Sequence, residues 1–231
     1  MKAVILAGGF GKRLRPLTEE RPKPLVEVAG KPILLWQIEW LKSYGIKDFV
    51  LLTGYLREKI IEFIGSGRKF DVRVSYTVED EPLGTAGALK NAEAVLKGED
   101  YFIVVNGDII TDLNPLKLVN ELRDKNAIVA IAAVPLRSPY GILEIDEKGY
   151  VKEFREKPVL EEYWINAGVY AMKSEVIGLL PEKGDIERTV FPQLAKKRKL
   201  VAVKYKGVFW RSIDTHKDVE EASRELGYVK G

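Results

Sequence analysis

The chain has no cysteine, one histidine and two methionines among its 231 residues. Without a thiol there is no disulfide framework and no thiolate chemistry. A single histidine, His216, rules out multi-histidine metal sites and leaves little room for a Ser-His-Asp triad. Long apolar runs are also missing: none approaches the ~20 residues of a membrane span. Charge arrives by Lys12, so the N-terminus does not read as a signal peptide. Nor is there an excess of one sign. Lys and Arg number 37 against 34 Asp and Glu, a net +3 that gives no electrostatic footprint for nucleic acid. No linker, internal repeat or low-complexity tract divides the chain. What remains is a globular protein, read as cytoplasmic, with no nucleic-acid or membrane partner, of one large domain or two closely joined ones.

Strand and helix patterns alternate through the first half. Val4–Ala7, Asp48–Thr53, Val72–Val78 and Tyr101–Val105 are apolar strand patterns. Between them lie helical stripes over Lys31–Tyr44, with Gly45 as C-cap, over Leu56–Ile64, and over Thr85–Leu96. Nearly continuous apolar strands separated by helices indicate a parallel sheet covered on both faces, with its site at the strand C-termini. After Asp108 the rhythm becomes mixed. A helix over Leu116–Leu122 and a strand over Ala127–Val134 lead to a hairpin, Gly141–Ile145 and Tyr150–Phe154 around DEKG. Trp164–Met172 and Val201–Tyr205 read as strands. Ser174–Leu180, Ile186–Lys197 and Thr215–Tyr228 read as helices, the last with Thr215 as N-cap and Asp218 three residues on. These later strands extend the first sheet or form a small second one. Trp36, Trp40 and Trp164 are read as core residues, and a homo-oligomer stays open.

The first thirty residues concentrate the chemistry. Ala3–Ala7 runs into Gly8-Gly9, then a loop with Gly11, Lys12, Arg13 and Arg15, then Lys23 between two prolines. Glycine lets backbone N–H groups approach an oligophosphate, and fixed cations sit beside it. Two common phosphate motifs are excluded. A P-loop needs Ser or Thr after Gly-Lys, and Arg13 stands there; a dinucleotide fingerprint needs glycine where Leu14 stands. The X-Pro neighbours of Lys23 restrict its backbone. Asp108 ends a buried strand on the same rim, and Asp214 precedes the last helix.

LAGGFGKRLRPLT (Leu6 to Thr18), PKPLVEVAGKPIL (Pro22 to Leu34), EPLGTAGAL, NGD, YGILE, EKP, NAGVY and WRSIDTHKD follow one another along the whole chain. In these segments the sequence resembles the sugar-1-phosphate nucleotidylyltransferases, most closely the mannose-1-phosphate guanylyltransferases. The resemblance implies a Rossmann-like three-layer α/β/α fold with a mostly parallel central sheet, a smaller mixed sugar-binding subdomain and no C-terminal β-helix, since hexapeptide repeats are missing. It implies one domain over residues 1–231, with a nucleotide-binding half (1–110) and a sugar-binding half (111–231). It also implies a Mg²⁺-dependent reaction of an NTP with a sugar 1-phosphate. Arg13 and Lys23 are then catalytic, and Asp108 and Asp214 hold the metal. Leu6, Ala7, Gly8, Gly9, Gly11, Gly84, Thr85, Gly87 and Asn106 bind the nucleotide. Tyr140, Gly141, Glu156, Lys157, Asn166 and Gly168 bind the sugar phosphate, with Glu144 and Trp210 as weaker candidates. Such chemistry needs no nucleophilic side chain, because the substrate brings its own; the protein positions two anions and offsets their charge.

GTP with mannose 1-phosphate is the favoured pair, and thymidylyl or uridylyl transfer to glucose 1-phosphate the alternative. A non-catalytic NDP-sugar sensor is a further reading, against which Arg13, Lys23, Asp108 and Asp214 are all present. A glycosyltransferase is another; it would have no triphosphate to cradle with the N-terminal loop.

Overall fold

The computed structural model describes residues 1–228. Its centre is a seven-stranded sheet built on β1 (Lys2–Ala7). Along β1 the side chains alternate between two cores: Ala3, Ile5 and Ala7 face one, Val4 the other. The same period of two runs through β4 (Asp48–Thr53), where Phe49 and Leu51 oppose Val50 and Leu52. Both faces must therefore be covered, and helices cover them. On one face lie α1 (Ile33–Ser43), α2 (Arg57–Ile64) and α5 (Leu116–Asp124), through residues such as Leu34, Ile60 and Leu118. On the other lie α3 (Gly84–Asn91), α4 (Glu93–Leu96) and α6 (Ile186–Lys196), through Leu89, Leu96 and Phe191.

The strand order puts the site where it is. β1 pairs in parallel with β4 on one side and β6 (Tyr101–Asn106) on the other. β5 (Arg73–Val78) extends the β4 side, also in parallel. Chain order therefore diverges between β1 and β6, a switch point at which the loops leaving the two strands splay apart into a crevice. The second half continues the same sheet. β11 (Val159–Lys173) runs antiparallel to β6 and to β8 (Val129–Arg137), and β12 (Leu200–Lys204) closes that edge parallel to β8. The hairpin of β9 (Ile142–Ile145) and β10 (Val151–Arg155) stands apart as its own two-stranded sheet. Its turn forms around Asp146, whose carboxylate accepts the Lys148 and Tyr150 N–H groups.

Several boundaries differ from the sequence reading. Lys31–Pro32 (β3) pairs with Glu27–Val28 (β2), so α1 starts at Ile33, with Pro32 extended at its N-cap (φ −54°, ψ 141°). The helix expected over Thr85–Leu96 breaks at Ala92, where Asn91 reaches across to donate to Val78 O. Ser174–Leu179 is a 3-10 helix. β11 is longer than expected because it begins at Val159, its pairing with β8 shifting register between Leu160 and Trp164. Two strands of three residues each, β7 (Ile109–Thr111) and β13 (Trp210–Ser212), are too short to show a period, yet they pair antiparallel beside the crevice. The last helix, α7 (His216–Tyr228), begins with the expected box. Asp218 accepts the Thr215 N–H at 2.7 Å while its own N–H donates to Thr215 Oγ1 at 3.3 Å. Among the described residues no helix is long and apolar enough to cross a membrane.

One glycine fixes the crevice wall. Gly107 N donates to Leu6 O at 3.0 Å, and a Cβ on Gly107 would lie 2.2 Å from that same oxygen. Both atoms are backbone, so neither yields without moving a central strand. Gly107→Ala is expected to cost about 1–3 kcal/mol, the scale of overpacking. Urea unfolding measures this, and an unchanged midpoint would show that β1 and β6 separate freely.

Candidate active site

A cavity of about 430 Å³ opens at the C-terminal ends of β1 and β6. Of the expected residues it brings together Leu6, Ala7, Gly8, Gly9, Gly11, Arg13, Lys23, Gly84, Thr85, Asn106, Asp108 and Asp214. The loop after β1 is folded against itself. Thr18, fully buried, donates to Gly11 O at 2.8 Å; Leu14 plugs the core; the Tyr55 hydroxyl donates to Glu19 O at 3.0 Å and its ring lies 5.2 Å from Phe10. Lys12 and Arg13 are thereby presented on a short 3-10 turn over the cavity.

At the cavity floor Lys23 Nζ sits between two carboxylates, 2.7 Å from Asp108 Oδ2 and 2.8 Å from Asp214 Oδ1. Lys23 lies on a 3-10 turn bracketed by extended Pro22 and Val26, so its backbone is set before the side chain reaches in. Arg13 joins the same Asp214 oxygen at 2.8 Å, and Ser212 Oγ donates to the other at 3.0 Å. The Asp214 N–H is held by Asp218, the residue that caps α7. Burial pushes the Asp214 carboxyl up, but Lys23, Ser212 and Arg13 together outweigh burial and hold it below the ordinary carboxylate value. Below these side chains a small apolar cluster joins the segments that carry them: Val26 follows the Lys23 turn, Ile110 lies in β7 and Ile213 precedes Asp214.

Sequence reasoning missed Glu79. It stands one residue beyond β5, lines the cavity, and pairs with no cation among the described residues; Leu83 N–H donates to its Oε2 at 3.2 Å. Its Oε1 lies 2.0 Å from where a Cβ on Gly8 would stand, so glycine at position 8 lets the carboxylate close over the loop. Burial raises the Glu79 carboxyl above its ordinary value, only partly countered by the Leu83 N–H. The strand-end rule points to this position; the acidic run Glu79-Asp80-Glu81 gave no means of choosing among the three.

Gly87 packs against Glu182 O, in the manner of a helix-packing glycine. The Thr85 hydroxyl is engaged, donating to Glu187 and accepting the Ile186 N–H. Tyr140, Gly141, Glu156, Lys157, Asn166 and Gly168 lie outside the cavity, on and around the β9–β10 hairpin and β11. Phe154 and Glu156 close over Gly141, Lys157 Nζ stands 3.8 Å from Glu156, and Asn166 donates to the buried Tyr170 hydroxyl while accepting the Gly168 N–H. Burial drives the Tyr170 phenol far above its ordinary value. Trp210 donates to Ala167 O, and Glu144 is exposed in β9.

Residues 2–227 match the Nucleotidyl transferase family. The chain belongs to that family. It is 40% identical over 226 residues to a mannose-1-phosphate guanyltransferase of Yarrowia lipolytica, covering 94% of this chain and 62% of that one. Thus the chain spans about three fifths of the curated relatives it matches. Two solved structures share its fold. HddC from Yersinia pseudotuberculosis, complexed with GMP-PN, superposes with a TM-score of 0.75 at 30% identity, over 97% of this chain and 99% of that one. A candidate glucose-1-phosphate thymidylyltransferase from Bacillus anthracis, solved with sucrose, does so with a TM-score of 0.78 at 27% identity, over 97% and 94%.

The two shifted carboxyls of the cavity have opposite pH signatures. Glu79, raised when folded, binds a proton more readily than in the unfolded chain. It therefore costs stability as pH rises above the ordinary value of about 4.3, and the cost persists at neutral pH. Asp214, lowered when folded, adds stability that is complete above its ordinary value and is lost as pH falls through the lowered one. Glu79→Gln should melt above the wild type at neutral pH and Asp214→Asn below it, with both gaps closing towards acid pH. Melting curves across pH decide this; gaps independent of pH would contradict the assignments.

Proposed function

We propose that this chain joins an NTP to a sugar 1-phosphate, releasing pyrophosphate and forming an NDP-sugar, with GTP and mannose 1-phosphate as its substrates. The observation that carries this is the position of Lys23, whose ammonium stands where two rim carboxylates converge beside a glycine loop that carries a second cation, Arg13. One sugar-phosphate oxygen attacks the α-phosphorus of the NTP, the new O–P bond forms, and the bond to the β-phosphate bridging oxygen breaks with its electron pair leaving on pyrophosphate. No side chain enters the bonding. Arg13 holds the leaving pyrophosphate, Lys23 the α-phosphate in line, and Leu6 to Gly9, Gly11, Gly84, Thr85 and Asn106 the nucleoside side.

The donor set suits Mg²⁺. Two carboxylate oxygens already share one cation, the Lys23 ammonium. Magnesium takes few protein carboxylates and completes its shell with phosphates and water. Asp108 and Asp214 would hold it, and when bound it supplies charge neutralisation across the phosphates. Lys23 then exchanges carboxylate for phosphate.

Glu79 favours guanine. A carboxylate accepts from the adjacent N1–H and 2-amino groups of guanine, whereas the single N–H of thymine or uracil lies between two carbonyl acceptors. The names of the Yarrowia relative and the GMP-PN complex agree with that preference. The second half, 111–231, takes the sugar in this reading, with Lys157 on its phosphate and Tyr140, Gly141, Glu156, Asn166 and Gly168 around the ring.

The test is a matrix of GTP, ATP, UTP and dTTP against glucose, mannose, galactose and N-acetylglucosamine 1-phosphates with Mg²⁺, read by pyrophosphate release. GTP with mannose 1-phosphate is expected to lead. Preference for dTTP or UTP with glucose 1-phosphate would replace the substrate assignment, and tight NDP-sugar binding without pyrophosphate release would replace the activity with sensing. Lys23→Ala and Asp108→Ala are each expected to lose at least ~100-fold in turnover, the scale of one electrostatic element of a preorganised site. Near-normal turnover in either sinks that role.

A further inference from the structure

Gln37 lies inside α1 and is 1% exposed. Its Nε2 donates twice, to Asn106 O at 2.8 Å and to Ile109 O at 2.9 Å. Those two carbonyls flank Gly107-Asp108, so one buried amide clasps both ends of the turn that carries Asp108. Because both acceptors are carbonyl oxygens, the NH₂ must face them, and Gln37 Oε1 is left buried with no donor among the described residues. A methionine at this position would bury no stranded oxygen, but it would leave the two carbonyls without this donor. Gln37 thus accepts one unpaired atom in exchange for a fixed turn.

Besides the Lys23 contact to the Asp108 carboxylate, two backbone bonds tie this turn. Gly107 N donates to Leu6 O, and Ile213 N donates to Asp108 O at 2.9 Å. Ile213 immediately precedes Asp214, so the second tie sets the separation between the two carboxylates. Gln37 prevents the turn from rotating about that tie. We propose that Gln37 is a positioning residue. It touches neither substrate, but it holds the Asp108 carboxylate at the spacing from Asp214 that lets both oxygens share one cation. This inference rests on reading Asp108 and Asp214 as the pair that holds the divalent ion.

Gln37→Met keeps length and apolar volume and removes the donor. Mn²⁺ serves as the probe, its binding to the full chain read by water-proton relaxation. Loss of an outer partner of a metal ligand typically weakens metal binding or activity by about 10–100-fold. Gln37→Met is therefore expected to weaken Mn²⁺ binding by at least about 10-fold and to raise the Mg²⁺ concentration for half-maximal turnover in parallel. kcat should fall while KM for the NTP stays within about two-fold, and circular dichroism should be unchanged. A folded Gln37→Met that binds Mn²⁺ like the wild type overturns the inference. A second measurement needs no variant: titrating wild-type protein with Mg²⁺ should shift the Gln37 side-chain NH₂ and the Asp108 amide resonances with one midpoint. Shifts at Asp108 with none at Gln37 also overturn it. The Mn²⁺ measurement is independent of turnover, so a wild type that releases no pyrophosphate counts against the proposed activity while the binding data still decide the role of Gln37.

Discussion

Everything about this site depends on one ammonium group held between two carboxylates that are far apart in the chain. Lys23 is 85 residues from Asp108 and 191 from Asp214. No local structure brings three such residues within hydrogen-bonding distance. The sheet delivers Asp108 at the end of β6, next to β1, whose own loop leads to Lys23. The short β7–β13 ladder carries Asp214 to the same point, and the apolar cluster of Val26, Ile110 and Ile213 welds the three segments from beneath. The polar site and its hydrophobic footing are built from neighbouring residues on the same segments. Damage to either propagates to the other.

The charge pattern suits the proposed reaction, in which two phosphates meet in the crevice. Two phosphorylated substrates repel each other, and their approach is unfavourable unless fixed cations stand ready. Free cations at close quarters would in turn repel each other. Asp214 resolves this by accepting from both Arg13 and Lys23, and its own lowered pKa keeps it ionised to do so. The cations are thus held in place by the carboxylate they share. Glu79 is the exception, a carboxylate with no cation partner among the described residues, half-buried against Gly8 and raised in pKa. Such a group is expensive in the empty protein and useful only with donors to face it, which is what a guanine edge provides.

Much of this was legible in the sequence because the chemistry leaves few residue choices. The Gly8-Gly9-x-Gly11 run reads as a phosphate loop because a Cβ would block the approach; in the structure the space a Cβ on Gly8 would need is taken by the Glu79 carboxylate. The apolar strands revealed both faces of the sheet because β1, β4 and β6 feed two cores, and the strand-end rule then located Asp108. What escaped has equally physical reasons. β7 and β13 are three residues long, below any period. Gln37 looks like an ordinary polar interruption of a helix until its two carbonyl partners, distant in sequence, are seen. Glu79 is hidden among acidic neighbours, and its burial and the cation partners of Asp80 and Glu81, Arg57 and Lys183, separate it from them only in the structure. The second-half segments around Tyr140, Lys157 and Asn166 were visible as motifs, but their placement outside the cavity was not, since the β9–β10 hairpin stands off the main sheet.

The central claim is that the protein contributes position and charge but no nucleophile, so that one sugar-phosphate oxygen displaces pyrophosphate directly. Stereochemistry at phosphorus tests this most directly. With GTP carrying a chiral thiophosphate at the α-position and mannose 1-phosphate as acceptor, a single in-line displacement predicts inversion in the GDP-sugar product. Retention would require two displacements through a covalent nucleotidyl-enzyme, and would contradict the reading of Lys23, Arg13, Asp108 and Asp214 as groups that never bond to the substrate phosphorus.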